Sequence, residues 1–466
     1  MNEGKRLIRN TGIIAIGNLS TKLVSFFLLP LYTSLLSTSE YGVQDYINSL
    51  TVFCVPFVTV LMDEAVFRFL IDCKTDQDRK NVISMSVKII LSGLVVFTGI
   101  ASPILIVTKY HFSFYFMLCV MASVLSTMTS ALLRGLGKIE EYTIYNFVLS
   151  VAKIILSIFF VAIIKRGIYG LLEAEIVSGI LITVIFLFRN KVWKYIDMQK
   201  SSKKEMLEMI KYSVPLIPNK LSWSVINLSD RIIIMNVIGS EASGLYAVSY
   251  KFPTLMDTIY GFFYQSWKES SARALQDENV NVFYNMVYDY LKRFMYSIVM
   301  LMTAFMPLAF KLLINNKFNE AILFVPILLL ATYFANISGF YGGIFTAYKD
   351  TKIMGVTTLW AAVINIIVNL LMIWRFGLYA AAISTLVANV VVYVYRKIKV
   401  QKYIVLEEKY AVTIISVIVM ACVWVLFYTQ SMICQFIGVL IAIVYSLVVN
   451  KNLLCILLSK LKNKRV

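Results

Sequence analysis

The sequence predicts an all-α polytopic membrane protein with about 14 transmembrane helices. Hydrophobic residues make up 59% of the 466 positions, and charged residues make up only 15%. Apolar segments also recur from end to end, each close to the ~20 residues that a bilayer-spanning helix needs. Soluble domains do not have this composition. The chain is therefore expected to cross a membrane many times.

The apolar segments define the predicted spans in order. The first six lie at 11–36, 43–68, 83–108, 111–133, 142–164 and 168–188. The next eight lie at 212–238, 243–267, 290–314, 319–346, 354–374, 377–396, 410–428 and 432–450. The first segment is long and has no small-residue cleavage site after it. We therefore expect it to be retained and not removed as a signal peptide.

Basic residues give the chain a net charge of +18, but their placement does not indicate nucleic-acid binding. They are concentrated on alternate loops, such as 189–211 and 396–409, whereas the intervening loops hold few. This is the positive-inside pattern of membrane proteins. It predicts an even number of spans, twelve or fourteen, with both termini in the cytoplasm.

An internal repeat is indicated by strings that recur in one register. GIYGLLEAEIVSGI at 167–180 matches GLYAAAISTLVANV at 377–390, and SEYGVQ at 39–44 matches SEASGLY at 240–246. The prolines at 103 and 307 also stand at matching places. These matches predict two six-helix bundles of the same orientation, related by a pseudo-two-fold axis along the membrane normal.

The repeat and the polar stretch between its halves predict the domain organisation. The N-terminal bundle is expected at 1–188 and the C-terminal bundle at 212–398. Residues 189–211 have apolar side chains among lysines and predict an amphipathic cytoplasmic linker on the inner leaflet. Residues 399–466 are expected to form two additional C-terminal helices and a basic cytoplasmic tail.

Several predicted spans carry a cation near the middle, where lipid penalises a charge by about 2.5–3.5 kcal/mol. These cations must avoid the acyl chains, and the polar residues on the same helix faces predict a water-filled cavity for an anionic cargo. The candidate cargo-binding residues are Lys22, Lys153, Lys220, Arg231 and Lys251, with Asn18, Ser25 and Asn227 as polar cavity residues. The alternative is structural: lysines near span ends extend toward water, and Arg231 and Asp230 pair with each other or with Asp257 and Lys251 to fix helix positions.

No nucleotide-binding or catalytic motif is recognisable, so an ion gradient, the membrane potential or the cargo's own gradient is expected to drive transport. The candidate acids for coupling to H⁺ or Na⁺ are Asp230, Asp257, Glu173 and Glu175. The six cysteines form no C-x-x-C motif, and the single histidine, His111, lies in an outer loop. We therefore predict no catalytic residue, no metal site and no cofactor.

Three motifs give the chain a family resemblance. They are the opening GNLSTKLVSFFLLPLYTSLLSTSEYGVQDY at 17–46, the LLRGLGKIEEY turn after the fourth span, and the GIYG/GLYA pair. The chain resembles the bacterial polysaccharide (O-antigen-type, Wzx-like) flippases of the multidrug/oligosaccharidyl-lipid/polysaccharide exporter superfamily.

The resemblance implies two six-helix bundles around a cationic cavity, in a protein of the bacterial cytoplasmic (inner) membrane. The implied cargo is an undecaprenyl-diphosphate-linked oligosaccharide, moved from the inner to the outer leaflet by alternating access. Membrane lipid and polysaccharide polymerases are the implied partners. A flippase for the peptidoglycan precursor lipid and a multidrug exporter of the same superfamily remain alternatives. A membrane polymerase or acyltransferase is a further one, although the chain shows neither a large outer loop nor a catalytic His/Asp pair.

Overall fold

The computed structural model describes residue 26 and residues 28–197, 203–275, 278–453 and 455, without the side chains of residues 203, 218, 219, 222, 223 and 227. Within these residues the fold is α-helical and contains no strand, which confirms the predicted fold class. Most of the first predicted span lies outside the described residues. Contacts between helices divide the chain into two compact units, unit 1 (Met1–Ile232) and unit 2 (Ile233–Val466).

Unit 1 contains nine described α-helices, the last of which continues into unit 2. They are α1 Leu29–Leu35, α2 Thr38–Thr59, α3 Met62–Asp72, α4 Asp76–Val107, α5 Ser113–Gly135, α6 Ile139–Ser157, α7 Gly167–Arg189, α8 Lys203–Ser213 and α9 Ile217–Val237. A π-helical turn, Ile158–Ile163, extends α6. A 3₁₀ turn, Val214–Leu216, separates α8 from α9. The proline pair Pro215 and Pro218 in the sequence predicts a bend at this place.

Unit 2 contains the remaining seven described α-helices. They are α10 Ser240–Ala274, α11 Val280–Leu313, α12 Val325–Ala347, α13 Lys352–Phe376, α14 Leu378–Val400, α15 Tyr410–Tyr428 and α16 Met432–Val449. A 3₁₀ helix, Asn316–Phe324, leads into α12. Each predicted span from 243–267 onward therefore corresponds to one helix, with ends shifted by up to ten residues, the largest shift being at the start of α11.

Ten segments of the described chain are long and apolar enough to cross a membrane, or eleven if α2 and α3 form one bent span. Helices α9 and α10 are also long, at 21 and 35 residues, but are not among the ten. The predicted second span thus corresponds to two helices, α2 and α3, with a 48° bend between them. The chain is a multi-pass membrane protein.

The start of α2 is fixed by a capping box that also holds α7. The Ser37 side chain accepts from the Glu40 N–H, and the Glu40 carboxylate accepts from the Ser37 N–H, which satisfies N–H groups that a helix start leaves unpaired. The other Glu40 oxygen accepts from Ile168 N–H at 3.3 Å. Gly167 has φ +54°, and a Cβ there would lie 2.3 Å from Glu40 Oε1. Only glycine fits this contact.

The matching glycine of the predicted repeat also has a positive φ. Gly377, which precedes α14 in unit 2, has φ +53°. The GIYG and GLYA strings thus share a glycine of positive φ at the start of a helix, as expected if the two segments are structurally equivalent. The repeat and its domain boundaries stay predictions.

A buried arginine joins three helices of unit 2. Arg396 on α14 is 2% exposed and donates to Thr357 Oγ1 at 2.9 Å and to the Ser338 carbonyl at 3.1 Å. It also donates to Thr358 Oγ1 and the Met354 carbonyl, both at 3.3 Å. Because these acceptors lie on α12 and α13, the guanidinium connects both helices to α14.

A second charged cluster connects the start of α15 to helices α11 and α14 within unit 2. Glu408, which precedes α15, pairs with Lys292 on α11 and with Lys397 on α14, the latter at 2.7 Å. It also accepts from the hydroxyls of Tyr288 and Thr413, at 3.2 and 3.1 Å. The Glu408 side chain is 7% exposed. One carboxylate therefore satisfies groups on three helices.

We expect Glu408→Gln to lower the thermal unfolding midpoint of the purified protein. The substitution keeps the side-chain shape but leaves the buried Lys292 ammonium without an anion, and breaking a buried pair in this way costs about 3–5 kcal/mol. Differential scanning fluorimetry in one detergent measures the change. Glu407→Gln is the matched control, because Glu407 is the neighbouring acid and is exposed. Equal midpoints for the two variants would contradict this role of Glu408.

Candidate functional site

A polar cavity of about 350 Å³ lies inside unit 1, within the ~300–1,000 Å³ range of small-molecule sites. Its walls come from α2, α5, α6 and α7, with contributions from α3 and α9. The charged and hydroxyl residues lining it are Thr59, Asp63, Ser123, Ser126, Thr127, Lys153, Glu175, Ser178 and Lys220. Two of the five predicted cargo-binding cations, Lys153 and Lys220, therefore line one cavity.

Lys153 on α6 forms an ion pair with Glu175 on α7. The Lys153 Nζ atom lies 2.9 Å from Glu175 Oε1. The second carboxylate oxygen, Glu175 Oε2, is buried without a hydrogen-bond partner, and 39% of the lysine side chain remains accessible. Glu175 thus stabilises the ammonium while leaving part of it open to the cavity.

One face of α5 carries hydroxyl side chains that line both this cavity and a second one next to it. The sequence analysis did not identify this face. The second cavity, of about 360 Å³, adjoins the first and shares Asp63, Ser126, Thr127 and Leu149 with it. Ser123, Ser126, Thr127, Ser130 and Arg134 recur along α5 at helical spacing. That spacing in the VMASVLSTMTSALLRG segment was the available signal.

Arg134 and Asn146 line the far part of the second cavity. The Arg134 guanidinium lies 4.0 Å from the centre of the Phe67 ring on α3, a cation–π contact that holds it in place. The Asn146 amide donates to the Tyr142 carbonyl at 2.8 Å and to Ser130 Oγ at 3.3 Å. We call the two adjoining cavities, with their shared residues, the polar track of unit 1.

Arg231, a third predicted cargo-binding cation, is held in an ion pair within unit 1. Its Nε atom donates to Asp45 Oδ2 on α2 at 2.7 Å, and the two side chains are 10% and 13% exposed. The sequence interpretation had considered Asp230 and Asp257 as partners and had overlooked Asp45. An acid inside a predicted span was the missed signal, since such acids are costly and usually functional or paired.

The other candidate residues lie elsewhere. Glu173 accepts from Arg166 at 2.6 Å and from the Tyr115 hydroxyl at 3.1 Å near the start of α7. Asp230 on α9 is 2% exposed, and Lys251 and Asp257 lie on α10 of unit 2. Lys22, Asn18 and Ser25 lie outside the described residues, as does the side chain of Asn227.

The polar track can bind a ligand that has both phosphate and hydroxyl groups. Lys153, Lys220 and Arg134 offer charged donors, and the serines and threonines of α5 offer hydroxyls that both donate and accept. Among the described residues, no three His, Cys, Asp or Glu side chains form a group that could hold a metal ion. The arrangement is that of a binding path inside a membrane-spanning helical bundle.

The fold is that of transporters of the MOP superfamily. The structure aligns with an inward-facing multidrug resistance MATE family transporter of that superfamily at a TM-score of 0.66 and 16% identity, covering 83% of this chain and 98% of that one. It aligns with the lipid II flippase MurJ at a TM-score of 0.69 and 15% identity, covering 95% and 99%.

The sequence comparison identifies the family. The chain belongs to the polysaccharide biosynthesis protein family, whose model matches residues 7–267. An uncharacterised membrane protein of Methanocaldococcus jannaschii is 23% identical over 435 residues, which cover 86% of this chain and all of that one. The family resemblance stated from the motifs is therefore confirmed.

Proposed function

We propose that the protein is a flippase, not an enzyme, that moves a lipid-linked oligosaccharide from the inner to the outer leaflet of the cytoplasmic membrane. The observation that carries the proposal is the polar track, which has lysines and hydroxyls in the interior of a membrane-spanning unit. Membership of the polysaccharide biosynthesis family supports it. The proposed cargo is an undecaprenyl-diphosphate-linked oligosaccharide, and the proposed transport cycle is alternating access with both termini in the cytoplasm.

The chemistry of such a cargo suits this track. A diphosphate headgroup cannot cross hydrocarbon unaided, whereas its polyprenyl tail can remain in lipid. Lys153 and Lys220 would bind the phosphates, because hydrogen bonds between charged donors and phosphate are stronger than neutral ones. An inside-negative potential would favour outward movement of the anion by about 2.3 kcal/mol per charge per 100 mV.

The proposal is tested by depleting the protein from its host and extracting the lipids. We expect an intact diphosphate-linked oligosaccharide to accumulate while surface polysaccharide is lost, and mass spectrometry would then identify the sugars. Accumulation of the peptidoglycan precursor lipid would instead assign the protein to the alternative flippase class. A normal pool of both lipids would reject the flippase proposal.

A multidrug exporter is the second candidate, and the acids of the track favour it. Asp63 and Glu175 line the same cavity as the two lysines, and a carboxylate is the group that binds an organic cation. In that case, depletion should make the cells sensitive to cationic dyes and leave the lipid-linked oligosaccharide unchanged.

We expect Lys220→Ala to reduce export without lowering the amount of protein in the membrane. The Lys220 side chain is exposed and lines the cavity, so its loss should affect the cargo more than the fold. Lys220→Arg should retain more export, because it keeps the charge. Lys211→Ala, at an exposed lysine on α8, is the matched control. Surface polysaccharide measured in a depleted host reports export, and normal export by Lys220→Ala would remove this residue from the cargo path.

A further inference from the structure

The break between α2 and α3 has a strained backbone at the edge of the polar track. Val60 and Leu61 both have φ +51°, in the left-handed region that β-branched and bulky residues rarely adopt. Leu61 also lines the first cavity. Such strain persists only where the surroundings enforce it, and it is concentrated at functional sites.

The break leaves carbonyl oxygens at the end of α2 that its own helix cannot satisfy. The last carbonyls of a helix have no intrahelical N–H partner. The Leu61 and Val60 N–H groups bond to the carbonyls of Pro56 and Phe57, both at 3.3 Å. The end of α2 is the negative pole of the helix dipole.

Two side-chain oxygens next to the break are buried and unpartnered. Thr59, the last residue of α2, is 1% exposed, and its Oγ1 atom has no hydrogen-bond partner. Asp63, in the first turn of α3, has a buried Oδ1 atom that also lacks a partner. Both residues line the first cavity. Buried polar atoms in native proteins are nearly always paired, and one ligand in the cavity would satisfy both.

We infer that the break between α2 and α3 is a Na⁺ site, in which Thr59 Oγ1, Asp63 Oδ1 and carbonyl oxygens at the end of α2 are the ligands. All of these are oxygens, as a hard cation requires. Only one carboxylate takes part, which matches a single positive charge better than the higher charge of Ca²⁺. Interrupted membrane helices can bind a coupling ion through the carbonyls at such an end.

The charged residues around the site connect it to the cargo. Lys220 on α9 lines the same cavity as Asp63, and Glu64 follows Asp63 on α3 and lines the second cavity. Lys220 and Na⁺ can each balance the Asp63 charge. A phosphate that engages Lys220 would therefore favour Na⁺ at Asp63, and by linkage Na⁺ would favour the phosphate to the same extent. This coupling, unlike the site itself, depends on the proposed function.

The test is Na⁺ binding to the purified full-length protein in the absence of cargo. Thermal unfolding midpoints are measured while NaCl replaces KCl at constant ionic strength and pH, and radioactive sodium measures binding directly. We expect a saturable rise in midpoint with Na⁺ but not with K⁺. Thr59→Val and Asp63→Asn should each weaken Na⁺ binding by roughly tenfold or more, equivalent to ~1.4 kcal/mol.

The variants are chosen so that loss of Na⁺ binding can be distinguished from loss of folding. Thr59→Val preserves shape and removes a hydroxyl without a partner, so in KCl it should fold as well as the unaltered protein. Glu208→Gln, at an exposed acid on α8 that lines neither cavity, is the matched control and should bind Na⁺ normally. Equal stabilisation by Na⁺ and K⁺, no sodium binding, or normal binding by Thr59→Val would overturn the site. If Asp63→Asn does not fold, the result for Thr59→Val alone decides whether the site exists.

The same experiment separates the site from the proposed function. Na⁺ binding that depends on Thr59, in a protein whose depletion leaves lipid-linked oligosaccharides unchanged, would support the site and reject the flippase proposal. Accumulation of the lipid with no Na⁺ binding would reject the site alone. If only a change of pH shifted the unfolding midpoint, Asp63 would be a proton site and the Na⁺ assignment would be wrong.

Discussion

Replacing Lys153 with alanine is expected to reduce polysaccharide export by roughly 10- to 150-fold. This range corresponds to losing one charged hydrogen bond to phosphate, about 1.5–3 kcal/mol, at 1.4 kcal/mol per factor of ten. The ammonium can still bind an anion beside Glu175, because 39% of the Lys153 side chain stays accessible. Surface polysaccharide in a depleted host that carries the variant is the measurement.

The loss of export must be distinguished from loss of fold. Lys153→Ala leaves Glu175, whose side chain is only 18% exposed, without its cation, so some loss of stability is also expected. Lys153→Ala combined with Glu175→Gln removes both charges and should restore any lost membrane level without restoring export. Lys153→Arg should retain more export than either. Full export by the doubly substituted protein would show that the pair is structural and that the cargo does not need Lys153.

Composition and periodicity predicted the helices because each span must bury its own backbone hydrogen bonds in lipid. Spans 83–108, 410–428 and 432–450 differ from the observed helices by only a few residues at most ends. The break at Val60 and Leu61 could not be predicted in the same way. Neither residue is a glycine, and the hydropathy of segment 43–68 is continuous across them. Only tertiary contacts can hold such residues in a left-handed conformation.

The sequence brought together residues on one helix face that also meet in the structure, whereas it missed pairs between distant helices; the cargo-binding roles stay predictions. Lys153 was predicted from its spacing to Asn146 and Ser150, and Lys220 from the helix face that it shares with Trp223, Asn227 and Arg231. Both line one cavity. The partner of Arg231 lies 186 positions away along the chain, so no local pattern could pair the two residues. Asp45 and Asp63 were visible as acids in a hydrophobic segment, and that cost alone was a sufficient signal.

The Arg231–Asp45 pair gives a second large expected effect, on stability. The pair connects α2 to α9 with both side chains nearly buried, at 10% and 13% exposure. Removing one partner of such a pair leaves an uncompensated buried charge, which costs about 3–5 kcal/mol. We therefore expect Arg231→Ala and Asp45→Ala each to lower the thermal unfolding midpoint and the membrane level of the protein.

A double-mutant cycle separates this structural role of Arg231 from the cargo-binding role that the sequence suggested. If the two charges act on each other, the doubly substituted Asp45→Ala/Arg231→Ala protein should be more stable than the sum of the single effects implies, with a coupling of about 0.5–3 kcal/mol. Unfolding midpoints in one detergent give the three differences. If Arg231 instead binds cargo, Arg231→Ala should abolish export at a normal midpoint, and Asp45→Ala should change neither. Because the ion pair already satisfies Arg231 Nε, we expect the stability effect, with Lys153 and Lys220 left as the cations of unit 1 that bind the cargo.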